Sequence, residues 1–394
     1  MTVRVNKQPF NLREKLSELE RPIGLKGSEL MKSETVQDAR DLVSAGRKNL
    51  VINGDMKVAQ RGTSFTSDTY TLDRWKVNRG GISSLTTTQS SSGLDSHPNA
   101  LKVECTANAS QAAGTDTWIR YAVEDVDSNS ILNYPNSNKS LTLSFWVRAN
   151  VAGQYSASIT SGNFGDRFIH AFRVNANTWE YKSFTIPPPS LWGTSSGYGL
   201  RVYFDLGSGS NYQNSTLDQW IYSGSTYAAS GNTRVTGVNG RTFEITGVQL
   251  EVGRNATEFE HRSYGEELAL CQRYYQNMNS TFSYSGSNYG ETAYGGWQYS
   301  GNAGSIRIRL PVQMRTSPTL TVVGSLTNNA GADGTIGAYG DSAWMYPSSI
   351  TASESTPLSF RINVNGLSGS GKDAFGLYFY GSYLTSNVKI DAEL

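Results

Sequence analysis

Gly366-Leu-Ser-Gly-Ser-Gly-Lys372 matches a phosphate-cradling loop up to its last position. Asp373 then stands where such a loop offers magnesium a Ser or Thr hydroxyl. Alternating apolar segments flank it on both sides, whereas a phosphate loop leads from a strand into a helix, so a glycine-rich hairpin turn accounts for it. Asp125-Val-Asp127-Ser-Asn129 has the first ligands of a calcium-binding EF-hand loop, but Ser130 replaces the turn glycine and Asn136 the closing bidentate Glu. It reads as a solvated acidic loop, with Asp125 and Asp127 as weak metal candidates. His97, His170 and His261 are widely spaced and lack HxxxH or CxxC companions, so zinc chemistry is not indicated. Asp166, Asp205, Asp218 and Glu244 could supply the carboxylate pair of a glycoside hydrolase, but that pair is defined in space and nothing in the sequence selects two of them. No catalytic residue is assigned.

The remaining chemistry is aromatic. Trp192, Tyr198, Tyr212, Trp220, Tyr222 and Tyr227 lie in Gly-, Ser- and Asn-rich stretches, and Tyr289, Tyr294, Trp297, Trp344 and Tyr346 do so later. An aromatic ring can stack on the apolar face of a sugar, and Tyr and Trp also serve as low-entropy anchors in binding loops. Trp192, Tyr198, Trp220, Tyr222, Trp297, Trp344 and Tyr346 are the glycan-binding candidates. Trp75 and Trp146 are assigned to the core or to an interface. Against these stands the ordinary use of aromatics in sandwich cores and subunit contacts.

These residues need elements to hold them. The 394-residue chain is 37% hydrophobic and 17% charged, with 40 Gly and 22 Tyr, a profile of many short strands rather than of helices or a rod. Lys plus Arg (34) nearly cancels Asp plus Glu (33), so no nucleic-acid partner is expected. Two cysteines make no disulfide framework, and the start lacks a signal peptide's apolar core. The expectation is a soluble protein made in a reducing compartment. Charge is uneven: 17 of the first 48 residues are charged, against 50 of the other 346. Leu12, Leu16 and Leu19 have the spacing of a short amphipathic helix that Pro22 and Gly24 stop. Ser33 to Gly46 reads as a second, with Val36, Ala39, Leu42 and Val43 on one face. Both are too short to stand alone and must pack on something.

From residue 49 the period becomes two. Leu141, Leu143, Phe145 and Val147 face one way, and Thr142, Ser144, Trp146 and Arg148 the other. Leu200/Val202/Phe204/Leu206 and Leu101/Val103/Cys105 repeat the pattern, which places Cys105 in a core. The apolar parity flips at Gly247, as a β-bulge requires. Ser263-x-x-Glu266 makes a capping box for a helix over 264–275. Beyond it, Ile306, Ile308, Leu310, Val312 and Met314 share one strand face, and Phe360/Ile362/Val364, Phe375/Leu377/Phe379 and Val388/Ile390/Leu394 continue the alternation. The reading is a mainly β chain. Short N-terminal helices (1–48) precede an antiparallel sandwich (49–263), a linking helix (264–275) and a second antiparallel β-sandwich domain (276–394).

Two segments carry a resemblance. Asn49-Leu-Val-Ile-Asn-Gly-Asp-Met-Lys-Val-Ala-Gln-Arg-Gly62 with Tyr70-Thr-Leu-Asp-Arg-Trp75 opens the first β-domain. Ile245-Thr-Gly-Val-Gln-Leu-Glu-Val-Gly253, Ala256-Thr-Glu-Phe-Glu-His-Arg-Ser-Tyr264 and Glu267-Leu-Ala-Leu-Cys-Gln-Arg-Tyr-Tyr275 close it. In that order they resemble a domain of tail-fibre and related virion proteins of tailed bacteriophages, cyanophages among them. Leu310-Pro-Val-Gln-Met-Arg-Thr-Ser-Pro318 is similar to the segment that usually follows. The stretch 76–240 carries no matching motif.

The resemblance implies a jelly-roll sandwich similar to carbohydrate-binding modules, homotrimeric assembly and a place on the virion tail after synthesis in the host cytoplasm. Related modules often bind structural calcium through a Glu soon after the Asn-Gly opening. Lys57 follows Asp55 and Met56 here, so Asp55 and Glu251 remain weak candidates and no cofactor is assigned. The expected function is non-catalytic adhesion. Leu12, Leu16, Leu19, Val36, Leu42 and Val43 would trimerise and dock to tail or adaptor proteins, while β-domain loops bind a host surface polysaccharide or outer-membrane receptor. A purely structural collar or head fibre, and a polysaccharide depolymerase, are the alternatives.

Overall fold

The computed structural model describes residues 48–394 apart from 83, 133–138, 189–196, 223, 279–292, 301, 327–334, 341–342, 346, 368–373 and 381–386. The helical segments expected within 1–48, with Leu12, Leu16, Leu19, Val36, Leu42 and Val43, lie outside the described residues, as do Trp192 and Tyr346.

The chain is mainly β, as its period-two pattern predicts, and its first half forms a two-sheet antiparallel sandwich. The longer strands are β1 (Trp75–Asn78), β2 (Leu85–Leu94), β3 (His97–Cys105), β4 (Trp118–Glu124), β5 (Leu141–Ala149), β6 (Gly153–Ser161), β7 (Arg167–Val174), β8 (Glu180–Ile186), β9 (Tyr198–Asp205) and β10 (Thr242–Val252). One sheet runs Ser64–Phe65, β2, β3, β10, β5, β8. The facing sheet runs Trp220–Ile221, β7, β6, β9, β4, β1, Thr69–Tyr70. Phe145 of the first packs edge-on against Phe204 and Phe172 of the second, with ring centroids 5.0 and 5.3 Å apart. Leu143, Val147, Leu101, Val103, Cys105, Leu200 and Val202 fill the same core, on the parity read from the sequence. The bulge in β10 falls between Thr246 and Gln249, with Gly247 at φ +58°.

Three local expectations change. Asp125–Leu132 is a helix, α1, rather than an acidic loop: Asp125 and Asp127 fill its first turn, where carboxylates favour the exposed N–H groups. The capping box at Ser263 and Glu266 forms, but its helix, α2 (Tyr264–Gln272), ends three residues early because Tyr275 begins a strand. The strand containing Ile306 and Ile308 stops at Arg309, just before Leu310-Pro311; Met314 is buried from an irregular segment and Val312 only partly.

After α2 come β11 (Tyr275–Met278), β12 (Ala293–Ser300), β13 (Ala303–Arg309), β14 (Thr319–Val323), β15 (Thr335–Gly340), β16 (Ala343–Met345), β17 (Ser349–Thr356), β18 (Ser359–Asn365), β19 (Ala374–Tyr380) and β20 (Asn387–Asp391). A three-stranded sheet runs β11, β20, β14. An eight-stranded sheet runs Ser325–Leu326, β15, β19, β12, β13, β18, β17, with β16 paired to β15. Ile306, Met314, Phe360, Ile362, Leu377, Val388 and Ile390 share one apolar core between them.

The ends of the first sandwich meet through buried polar groups. Asn49 Nδ2 donates to Val248 O (3.1 Å), and its Oδ1 accepts from Val51 N and Leu250 N. Asn53 Nδ2 donates to the carbonyls of Val58 and Asp73, its Oδ1 accepts from Val58 N, and its own N–H donates to Glu267 Oε1 on α2. Arg262 donates to Asn49 O (2.8 Å) and Val51 O. Gly54 packs so closely on β10 that a Cβ would stand 2.2 Å from Val248 O.

Asn53→Ala strands several of these buried groups, each costing about 1–3 kcal/mol. Its unfolding free energy in urea is expected to fall by about 3 kcal/mol or more, whereas Asn239→Ala, at an exposed turn, stays within about 0.5 kcal/mol of the parent.

Candidate functional site

A cavity of about 600 Å³ opens on the outer face of the six-stranded sheet. Its floor comes from the outward parity of β5, where Ser144 and Trp146 alternate with core-facing Phe145. Register places Tyr181 of β8 directly across from Trp146, and the two rings lie 5.6 Å apart at 56°. Tyr181 is exposed and Trp146 half-buried, so both offer ring area to a ligand.

The opposite wall is an aromatic cluster. His97 stacks on His261 at 5.4 Å and meets Phe259 edge-on at 4.8 Å. The β10 bulge makes room for this, since a Cβ on Gly247 would lie 2.8 Å from His97 Nε2. Burial lowers the His97 pKa, and the neighbouring His261 lowers it further. The ring is buried and its Nδ1 has no hydrogen-bond partner.

The rim segment, with Thr257 and Glu258, is pinned to β10. Glu251 accepts from Thr257 N (2.9 Å), from Thr257 Oγ1 (2.6 Å) and from Gln249 Nε2 (2.9 Å), while Gln249 Oε1 accepts from Glu260 N. Glu251, weighed as a calcium ligand, thus uses its oxygens to anchor the rim. Asp55 lies 3.4 Å from Lys57. No group of three or more His, Cys, Asp or Glu able to hold a metal occurs among the described residues.

Accessible rings beside hydroxyl and carboxylate groups suit the apolar face and the hydroxyls of a sugar. Among the described residues Glu258 is the one carboxylate lining the cavity, where glycoside hydrolysis uses a pair. Three of the four carboxylates considered for such a pair have other partners. Glu244 pairs with Arg148 at 2.7 Å and Asp218 with His170 at 2.6 Å. Asp205 is buried and accepts from Asn232 Nδ2 and Ser208 N.

The aromatic candidates from the sequence fall elsewhere. Tyr198 opens β9 and lies against Arg201; Trp220 packs on Phe168 and donates to Pro187 O; Tyr222 is exposed just beyond it. Tyr227 is buried beside Tyr203. Trp297 and Tyr299 are both exposed on β12, and Trp344 is on β16 opposite Tyr339. Among the described residues, Tyr198, Trp220, Tyr222, Tyr227, Trp297 and Tyr299 do not line the cavity. Trp75 is core, as expected, but Trp146 is a cavity wall rather than core. Its parity opposite Phe145 was the available signal. Nothing in the sequence pairs it with Tyr181, or His97 with His261.

No protein-family profile matches the chain, and no curated protein does. Some solved structures are similar over about half of this chain. A sugar-binding protein from Bacteroides thetaiotaomicron matches at 12% identity and TM-score 0.32, covering 52% of this chain and 100% of that one. A structure described as CBM4 matches at 14% identity and TM-score 0.28, covering 51% and 98%. The enzymatically active domain of tailspike protein 4 from bacteriophage CBA120 matches at 12% identity and TM-score 0.27, covering 52% and 21%.

The depressed His97 pKa fixes a pH dependence. The unfolded chain takes up a proton near pH 6.5 while the folded ring still resists it, so stability is lost as pH falls below about 6.5. Between pH 7.5 and 5.5 the Tm of the parent should drop further than that of His97→Gln, and parallel curves would remove His97 as the cause.

Proposed function

We propose that this chain is a non-catalytic glycan-binding protein of a tailed-phage virion appendage, and that the Trp146 cavity holds the sugar. The observation that carries the reading is the Trp146–Tyr181 pair, two accessible rings set across neighbouring strands beside Ser144, Thr257 and Glu258. Rings on paired strands are held by the sheet, so they meet a ligand with little conformational entropy left to lose. The phage setting rests on the resemblance carried by residues 49–75 and 245–275. Cys105 and Cys271 are buried and free, which suits synthesis in a reducing cytoplasm. In this reading residues 1–48 join three copies and dock them to the tail, and the exposed Trp297 and Tyr299 serve contacts between copies or with a receptor. Several weak sites held together then raise the effective concentration at a polysaccharide surface.

Trp146→Ala and Tyr181→Ala should each weaken binding to a polysaccharide identified on a glycan array at least tenfold, about 1.4 kcal/mol, by isothermal titration. Full affinity in both variants would move the site elsewhere. A chain lacking residues 1–48 should fold as a monomer by light scattering and fail to join virions; a trimer of that chain would remove the assembly role from the segment.

A further inference from the structure

The outer face of the seven-stranded sheet is polar and buried at once. Thr160 and Ser158 of β6 pair with Arg201 and Tyr203 of β9, and Tyr203 pairs in turn with Arg120 of β4. Paired residues share a face, so these side chains form two adjacent rows on the side away from the core. All five are at least nine-tenths buried. Thr160 Oγ1, Ser158 Oγ, Tyr203 OH and Arg201 Nε and Nη1 are buried without a hydrogen-bond partner.

Arg201 stands out among them. Its guanidinium carbon lies 4.1 Å from the Phe164 ring centroid and 4.0 Å from that of Tyr198. Among the described residues it has neither an ion pair nor a hydrogen bond, and the nearby Arg120 adds a second positive charge. Burying an unpaired cation is strongly unfavourable, so such a group ordinarily has a counter-charge. Phe164 reaches Arg201 from a turn in the left-handed region, φ +62°, a conformation bulky residues rarely adopt. Strain kept at such a turn points to a function for the ring it positions. Phe164 is also partly exposed, which leaves the clamp open to solvent on that side.

We propose that Arg201 is the centre of an anion-binding site that takes one oxyanion group, a carboxylate, sulfate or phosphate. The two rings cover the faces of the guanidinium, so the anion meets its edge, where the N–H groups point. The hydroxyls of Thr160 and Tyr203 complete the donor set. Such a group can be carried by an acidic sugar or arrive as a free inorganic ion. The site is on the sheet opposite the Trp146 cavity and does not rest on the function proposed for that cavity.

Melting of the full chain in sodium glucuronate, sodium sulfate and sodium chloride at matched ionic strength tests this. One or both of the first two should raise the Tm by about 3 °C or more over chloride. A rise with glucuronate assigns the site to a sugar-borne carboxylate, and a rise with sulfate alone to inorganic oxyanions. The rise should vanish in Arg201→Met and persist in Arg173→Met, an exposed arginine on β7. Phe164→Ala keeps the charge while opening the clamp, and should at least halve the rise even if Arg201→Met fails to fold. Equal melting of the parent in all three salts, or a full rise in Arg201→Met or Phe164→Ala, would overturn the proposal.

Discussion

Asn53 donates to two carbonyls with one amide nitrogen and accepts from Val58 N with its oxygen, all inside the sandwich. Much of the first domain depends on that arrangement. Buried amides must find partners, and here the partners come from the opening turn, from β1's approach, from β10 and, through Glu267, from α2. Trp75 Nε1 donates to Asn53 O and Tyr121 OH to Leu50 O, so the largest core aromatics are oriented by the same turn. The two segments that carry the phage resemblance are the two sides of this junction. Their polar residues answer first to backbone hydrogen-bonding.

The end of the chain repeats the device. Glu393 pairs with Arg74 and, at 3.3 Å, with Arg61, while Arg61 stacks over Tyr275 at 3.6 Å. Ala392 N donates to Tyr274 O, and Arg315 N to Arg273 O. Charges this deeply buried are held by pairing rather than by solvent, so the residues after β20 and those flanking β1 require each other. The strands of the C-terminal half are attached to the first sandwich by specific polar contacts, not by apolar burial alone.

Both candidate ligand surfaces are outer sheet faces, and they differ in character. The Trp146 face keeps two accessible rings above a polar rim. The Arg201 face sequesters its polar groups beneath Phe164 and Tyr198. The first suits a neutral hydroxylated surface and the second a single charged group. The difference follows from what the adjoining turns do: the 253–262 segment is tied back along β10, whereas the β6–β7 turn lays Phe164 against Arg201.

Local regularities were legible in the amino-acid sequence. Period-two alternation identified the core faces of β3, β5 and β9, the parity flip located the Gly247 bulge, and Ser263 with Glu266 marked the start of α2. These depend on neighbours a few residues apart. The acidic run at Asp125 misled because its carboxylates serve a helix's first turn as readily as a cation. The sites were another matter. Tyr181 reaches Trp146 only because β8 pairs with β5 at one register, and His97 meets His261 only because β3 borders β10. Alternation says which face a residue occupies and nothing about which strand lies beside it. Strand order is set by packing of the whole domain, and that packing alone decided where the rings and charges converge.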